Sequence, residues 1–388
     1  MEHMMKKRIW LVICSMLMML MLGTVYSYSM FRGYVEQIYE VGSLVSGIPY
    51  MLSLFFYAVS MMIFGRIMKP SNLQRLILIG ALFLALGWFI ASISTSILML
   101  SVGYGFFIGI SVGIIYGIPL YVVQKTFLNR PGLYTGLILL GFGMSPLITA
   151  PIGRVLLDQY GLFQTFKIFG IIFPLLIVPI SFLFKLEIVE EEEFNIPKFN
   201  LKSDITFRYL YIAFLITTTI GLMMIGLSYQ VGVTYYQFDQ RDVTFSLSLF
   251  ALFNGLARPL FGSFMDKYGF YKTSILSIIL ILIASLIGIM NQGTHYILYL
   301  ISFGLFWFNL GAWLAIIPNT IKSKYGKKAY ARIYGYTFTA YGFGAIIGTL
   351  ISGSILDVMN QTYYIYISII VLVTCAYLCI QKIKSPKA

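Results

Sequence analysis

An arginine inside an apolar segment is the first residue of this chain that demands a chemical explanation. Residues 250–272, FALFNGLARPLFGSFMDKYGFYK, bury Arg258 in such a run, and Asn254 stands one helical turn before it. At this i, i+4 spacing both side chains point the same way. A guanidinium at membrane depth costs about 3 kcal/mol on insertion scales, so it should face a cavity or a partner. The acidic residues, Glu2, Glu36, Glu40, Asp158, Glu187, Glu190–Glu193, Asp204, Asp239, Asp242, Asp266 and Asp357, all fall in loops or at the ends of apolar runs. The partner expected for Arg258 is therefore a ligand. A planar five-donor fork that never loses its charge suits a carboxylate held bidentately. The bland alternative is that Arg258 snorkels toward Asp266, about 12 Å away at 1.5 Å per residue, or binds helix carbonyls.

The segments that must position this arginine are apolar. The chain has 388 residues, is 59% hydrophobic and 11% charged, and has a mean hydropathy of +0.87. A soluble domain could not hide that much apolar surface, so a polytopic membrane protein is expected. Runs of roughly 20 residues, enough to cross a ~30 Å hydrocarbon core, recur near 9–30, 43–65, 76–94, 97–122, 133–157, 162–185, 208–233, 243–265, 273–290, 295–321, 331–355 and 362–381. The first follows Lys6, Lys7 and Arg8 as in a signal peptide, but is long and carries no small-residue cleavage pattern, so it reads as a spanning helix. The polar stretch 187–207 divides the runs into halves 1–186 and 208–388. The expected fold is all-α and integral to the membrane: twelve transmembrane helices in two pseudo-symmetric six-helix bundles.

The net charge of +13 has a topological explanation. Of the 27 basic residues, Arg32, Arg154, Lys167 and Arg241 fall at one side of the runs and Arg258 within one; all others collect on the side of the termini. This is the positive-inside pattern, with both termini cytoplasmic, and it gives no reason to expect a nucleic-acid partner. Gly105, Pro119, Gly136 and Asp158 match Gly304, Pro318, Gly335 and Asp357, each pair 199 positions apart. Parallel duplicated halves place a substrate site near the midplane between them and suggest a rocking, alternating-access motion.

Several segments carry a family resemblance. GSFMDKYGFYK, with Gly262, Asp266, Lys267, Gly269 and Lys272, resembles the signature loop of the major facilitator superfamily; GRIMKPSNLQR, with Gly65 and Arg66, is its degenerate counterpart, with Lys69 where the aspartate would stand. The resemblance implies that glycine lets helices approach and that Asp266 pairs across an inner gate, intact in one half only; the alternative is a tight basic loop without a gating role. GTVYSYSMF (23–31), LGWFIAS (86–92), YGFFIGISVGIIYGIPL (104–120), GLYTGLILLGFG (132–143), TFKIFG (165–170), NGLARPLFGSFMDKYG (254–269) and YGYTFTAYGFGAIIG (334–348) resemble the oxalate/formate antiporter family, related to the monocarboxylate transporters. That implies carboxylate recognition by Arg258, with Asn254 on the same face. The family's oxalate exchanger has a lysine in the eleventh helix where this chain has Tyr341. One cation balances a monoanion, whereas a dianion would bring an uncompensated charge into a low-dielectric site. A monocarboxylate such as lactate, pyruvate or formate is expected over oxalate.

Tyr26, Tyr28, Tyr116, Tyr121 and Tyr341 offer hydroxyls to orient such a substrate, although tyrosines also serve interfacial belts and packing. Tyr116 and Tyr341 are preferred, the first for its place beside a small-residue run, the second for its family position. Gly103, Gly105, Gly109 and Gly113, with Gly136, Gly141 and Gly143, would allow close helix packing, mobile or static. No embedded group has an obvious proton-relay role; a proton could travel with the substrate or act at Asp239 and Asp242, and anion exchange would need none. Proton symport and exchange both stay open. Cys14, Cys375 and Cys379 lie in apolar runs and read as packing residues. Without a P-loop, paired deep carboxylates or a metal-ligand cluster, no enzyme, cofactor or metal site is expected. The expected protein is a monomeric, multi-pass plasma-membrane transporter whose partners are a small organic anion, with or without a proton, and the lipid bilayer. The alternatives are drug efflux on the same fold, which usually wants a buried carboxylate, and a non-transporting sensor.

Overall fold

The computed structural model describes residues 2–126, 131–184 and 204–383, and they are helical almost throughout. The helices are α1 (Glu2–Leu22), α2 (Tyr28–Tyr39), α3 (Ser43–Ser46), α4 (Ile48–Ile67), α5 (Leu73–Ser92), α6 (Ile97–Leu100), α7 (Gly109–Thr126), α8 (Pro131–Gly143), α9 (Ser145–Ser181), α10 (Ile205–Gln230), α11 (Gln240–Asn291), α12 (Tyr296–Met359) and α13 (Tyr363–Lys382). Among the described residues, ten helical stretches are long and apolar enough to cross a membrane. Two of them, Gly136–Phe184 and Gln240–Asn291, are broken midway, at Gly161 and Gly269. At φ +74° and +72° with ψ near 180°, both glycines occupy backbone territory essentially closed to other residues, and the chain reverses there. Gly326 breaks α12 in the same way.

Helix ends follow local chemistry. Asp204 caps α10 by accepting the Phe207 N–H at 3.1 Å, so this helix begins at Ile205, slightly before the polar-to-apolar transition at 208. Asp239 caps α11 through the N–H groups of Arg241 and Asp242. The acidic run Glu190–Glu193 and most of the 187–207 segment lie outside the described residues. The first crossing departs from expectation: it extends to Tyr39 rather than ending near 30, because Arg32, read from sequence as an outer-end charge, is buried. It is also not a uniform α-helix, since Gly23–Ser27 tighten into a 3-10 segment between α1 and α2.

Close packing uses the glycines of the fourth crossing. A Cβ on Gly105 or Gly109 would lie 2.8 Å from Leu52 Cβ or 2.5 Å from Ser53 O, so α4 rides against this helix at backbone distance. A Cβ on Gly136 would meet no described atom within 4 Å, so no such contact is seen there among the described residues. Residues 2–184 and 204–383, the first and second halves of the sequence, contact each other along α4 with α12, α8 and α9 with α11, and α2 with α10.

Candidate functional site

Arg258 sits where α11 faces the broken helix α8–α9. The break falls at Met144, just ahead of Pro146, whose ring supplies no N–H to the preceding turn. Arg258 is 4% exposed and Asn254 is fully buried. The guanidinium Nη1 donates to the Leu139 carbonyl at 2.5 Å, and Nη2 reaches Asn254 Oδ1 at 3.3 Å. Nε is buried and has no acceptor. No carboxylate of the described residues forms an ion pair with this arginine. Asn254 is itself held by its Nδ2, which donates to the Trp307 carbonyl at 2.9 Å. Gly143 supplies the room: a Cβ there would lie 2.8 Å from Asn254 Oδ1 and 3.2 Å from Arg258 Nη2.

Aromatic side chains from both halves close around this point. The Tyr26 and Tyr341 hydroxyls hydrogen-bond at 2.6 Å across the two halves. Phe142, adjacent to Gly143, makes edge contacts with Tyr26 and Tyr116 at centroid distances of 5.2 Å. Tyr57 touches Tyr116, Phe142, Phe338 and Tyr341. Tyr26 and Tyr116 are both within electrostatic reach of Arg258. The structure thus brings Arg258, Asn254, Tyr26, Tyr116 and Tyr341 together. Sequence reasoning missed Tyr57, Phe142, Trp307 and Phe338, whose positions carry no mark in apolar, aromatic-rich runs; Gly143 was read only as a packing residue.

Tyr28 is elsewhere. It donates to the Ser46 carbonyl at 2.8 Å and packs on Tyr50 and Tyr104, because two residues along a helix reverse the face presented. Its neighbour there is a second buried guanidinium. Arg32 is 3% exposed; Nε donates to Ser46 Oγ at 3.0 Å, Nη1 to the Gly226 carbonyl of the other half at 3.2 Å, and Nη2 to the Ser43 carbonyl. The Glu36 carboxylate lies 3.7 Å away. Glu36 also accepts from Gln230 Nε2 of the other half at 2.8 Å. Asp357 accepts the N–H groups of Ser43 and Leu44 at 2.7 and 3.0 Å, so the second half caps α3 of the first. Arg154, besides its pair with Asp158, donates to Tyr229 at 2.8 Å and to Gln240, both across the interface. The end of the bundle away from Glu2 and Lys382 is thereby tied by three groups of polar contacts between the two parts of the chain, around Arg32–Glu36, Asp357 and Arg154.

The opposite end differs. Asp266 is exposed and pairs with no described residue, and neither Gly262 nor Gly65 has an atom within 4 Å of where a Cβ would stand. Among the described residues the gate contacts implied by the signature loop are not made. Gly269 provides the reversal, Lys267 lies over the Tyr268 ring at 5.1 Å, and Lys272 is exposed. Arg66 does cross between halves, with its guanidinium 4.8 Å above the Tyr336 ring. Within the second half, Lys324 approaches Asp204 at 3.6 Å and Tyr325 donates to it at 2.6 Å. Burial pushes the Asp204 carboxyl up, but the hydrogen bonds from Tyr325 and the Phe207 N–H, with the Lys324 charge, hold it below its ordinary value.

Many apolar helices long enough to cross a membrane are the arrangement of a polytopic membrane protein. Residues 209–388 match the sequence model of the Major Facilitator Superfamily. An oxalate:formate antiporter of Oxalobacter formigenes is 25% identical over 350 residues, 87% of this chain and 82% of the antiporter. The Escherichia coli protein YhjX, an uncharacterised MFS-type transporter, is 23% identical over 336 residues, covering 84% of this chain and 82% of YhjX. An MFS-type transporter of Gibberella zeae is 22% identical over 312 residues, covering 77% and 68%. The second part of the chain thus matches the Major Facilitator Superfamily, and the chain is distantly similar to the oxalate:formate antiporter; the relatives it matches are transporters, not enzymes.

Proposed function

We propose that this protein is a secondary transporter of small monocarboxylates, of the lactate, pyruvate or formate class, anchored by Arg258. One observation carries the reading: a buried guanidinium with an unpartnered Nε, hydrogen bonds only to the Leu139 carbonyl and, at 3.3 Å, to Asn254 Oδ1, and no carboxylate partner among the described residues. An unpaired buried charge is costly, and a bound carboxylate would relieve that cost by presenting two oxygens to the fork. Asn254 and Tyr116 orient the anion, and the Tyr26–Tyr341 hydroxyl pair offers a neutral donor in place of a second cation. With one positive charge at the site, a monoanion is balanced and a dianion is not.

The larger frame is part of the same proposal. The breaks at Gly161 and Gly269 divide ten long helices into twelve crossings, six in each half, with both termini on the cytoplasmic side of the plasma membrane in a monomer. Substrate would reach Arg258 by rocking of the halves, and the tied end is the outer one, closed in this conformation. The test is uptake of labelled lactate, pyruvate, formate and oxalate into proteoliposomes. Saturable monocarboxylate flux should fall at least ~100-fold in Arg258→Gln, the order expected when one partner of a buried charge pair is removed. Equal flux in the variant, or no carboxylate flux in the wild type, would refute the reading. Repeating the assay under an imposed pH gradient separates proton symport from anion exchange.

A further inference from the structure

We propose that Tyr334 is a further substrate-positioning residue at the Arg258 site, and that its hydroxyl selects monocarboxylates carrying an oxygen on the carbon next to the carboxylate. The inference rests on the carboxylate reading of Arg258 and narrows it. Tyr334, Phe338 and Tyr341 follow one another at i, i+4 and i+7 on α12, so the three share one face. Phe338 and Tyr341, stacked at 4.8 Å, belong to the aromatic enclosure already described. Tyr334 continues that face one turn toward the Gly326 reversal, with its ring 5.6 Å from that of Phe338. The reversals at Gly326 and Gly269 lie at the same end of the bundle. Counted from them at 1.5 Å per residue, Tyr334 stands about 12 Å along its helix, Arg258 about 16 Å and Tyr341 about 22 Å. The two tyrosines therefore bracket the guanidinium in depth, with Tyr334 within about one helical turn of it.

The hydroxyls around Arg258 are not equally available. Tyr26, Tyr116 and Tyr334 all lie within electrostatic reach of its guanidinium. Tyr26 is engaged with Tyr341 at 2.6 Å, and the Tyr116 hydroxyl is met by that of Tyr57. Tyr334 is 7% exposed and makes no hydrogen bond among the described residues. Its ring is held, since Tyr330 stacks on it at 5.5 Å with 7° between the planes and Phe338 packs against it. A held ring with an idle hydroxyl is a poor packing device, because a buried O–H without a partner carries a desolvation cost that a phenylalanine would not. Arg258 Nε is in the same state, buried and without an acceptor. One ligand satisfies both. Its carboxylate takes the guanidinium edge that carries Nε, and an oxygen on the adjacent carbon takes the Tyr334 hydroxyl, which donates to a 2-oxo group or exchanges a hydrogen bond with a 2-hydroxyl. Formate and unsubstituted acids leave the tyrosine idle. A site built to hydrogen-bond a substrate oxygen rejects the analogue lacking it more strongly than an apolar pocket discriminates by size.

The test compares lactate with propionate, which has the same carbon chain and lacks the 2-hydroxyl. Initial rates of uptake of each labelled acid into proteoliposomes are measured over a range of concentrations. The wild type should favour lactate in kcat/KM by about tenfold or more. Tyr334→Phe should lower that preference about tenfold, through a raised KM for lactate at nearly unchanged kcat, and leave the KM for propionate where it was. Pyruvate against propionate should shift in the same way. Tyr330→Phe, which removes the neighbouring hydroxyl from the same stack, should keep the wild-type preference, whereas a packing role for the stack would change both acids together. A wild type that does not distinguish the acids, a Tyr334→Phe protein that keeps the preference, or a Tyr330→Phe protein that loses it equally would overturn the proposal and leave Arg258 as the anion anchor. Absence of saturable uptake of all three acids would instead overturn the carboxylate reading, and this one with it.

Discussion

The two buried arginines differ in what surrounds them, and that difference separates a structural charge from a receptive one. Arg32 faces a carboxylate, a hydroxyl and two carbonyls, so each of its nitrogens has an acceptor. Arg258 has one carbonyl and one distant amide oxygen, and its Nε has nothing. Burial is the same, 3% against 4%. What distinguishes them is the missing countercharge, which in one case the fold supplies and in the other a ligand must bring.

The strongest way to break this comparison is to delete each charge and measure stability rather than transport. Arg258→Met should raise the stability of the ligand-free protein by about 1–2 kcal/mol, because removing an uncompensated charge outweighs the two acceptors left unpaired. Arg32→Met should lower stability by about 3 kcal/mol, since it strands Glu36 and loosens the contact to Gly226. Thermal unfolding in detergent gives the sign directly: one midpoint rises and the other falls. If both fall by similar amounts, Arg258 is as fully compensated as Arg32 and its claim to bind an anion is lost. A saturating monocarboxylate should stabilise the wild type and leave Arg258→Met unchanged.

How far the sequence disclosed this contrast depends on where each charge lies along a run. Arg258 was legible because apolar residues flank it for a full crossing and Asn254 repeats at i−4. Arg32 was not, because Gly33, Tyr34 and Glu36 follow it and the run looks finished. Its burial is created by Ser43, Ser46 and Gly226, residues that only folding brings near. The tyrosines show a related limit. Tyr26 and Tyr28 looked equivalent, yet the 3-10 segment Gly23–Ser27 and the helical repeat send them to different clusters, one to Tyr341 and one to Ser46. The signature loop shows a third limit: a motif does not name its partners, and Asp266 pairs with no described residue. Hydropathy and glycine positions do not depend on such distant partners, which is why the apolar crossings were legible and the lining of the site only in part.

A smaller effect should sharpen the comparison by giving Arg258 a companion. Tyr341→Lys puts a second cation beside Tyr26, within the same aromatic enclosure. A site with two cations should accept a dianion, so the preference for pyruvate over oxalate should fall by about tenfold or more, read as the ratio of initial uptake rates. Tyr341→Phe, which removes only the hydroxyl, should raise the KM for a monocarboxylate about fivefold, the usual worth of one neutral hydrogen bond, and leave the ratio alone. An unchanged ratio in the lysine variant would mean that charge balance at this site does not set selectivity.

The mildest test uses a charge that is neither buried nor alone. Asp204 is paired with Lys324 and bonded by Tyr325 and the Phe207 N–H, with 29% of its side chain exposed. Its carboxyl is held below the ordinary value, so the folded state binds the proton less readily than the unfolded chain. The stability it contributes is therefore fully present above about pH 4 and lost only as pH falls through the lowered folded value. Asp204→Asn should cost about 1 kcal/mol at pH 7, most of it the charge-assisted part of the cap and the bond from Tyr325, and the difference from wild type should shrink toward zero below pH 4. Between pH 8 and pH 5 that difference should be flat. A loss at Asp204 as large as that at Arg32→Met would mean that exposure does not attenuate these charges as the ranking requires, and the argument from countercharge would then have to be made without it.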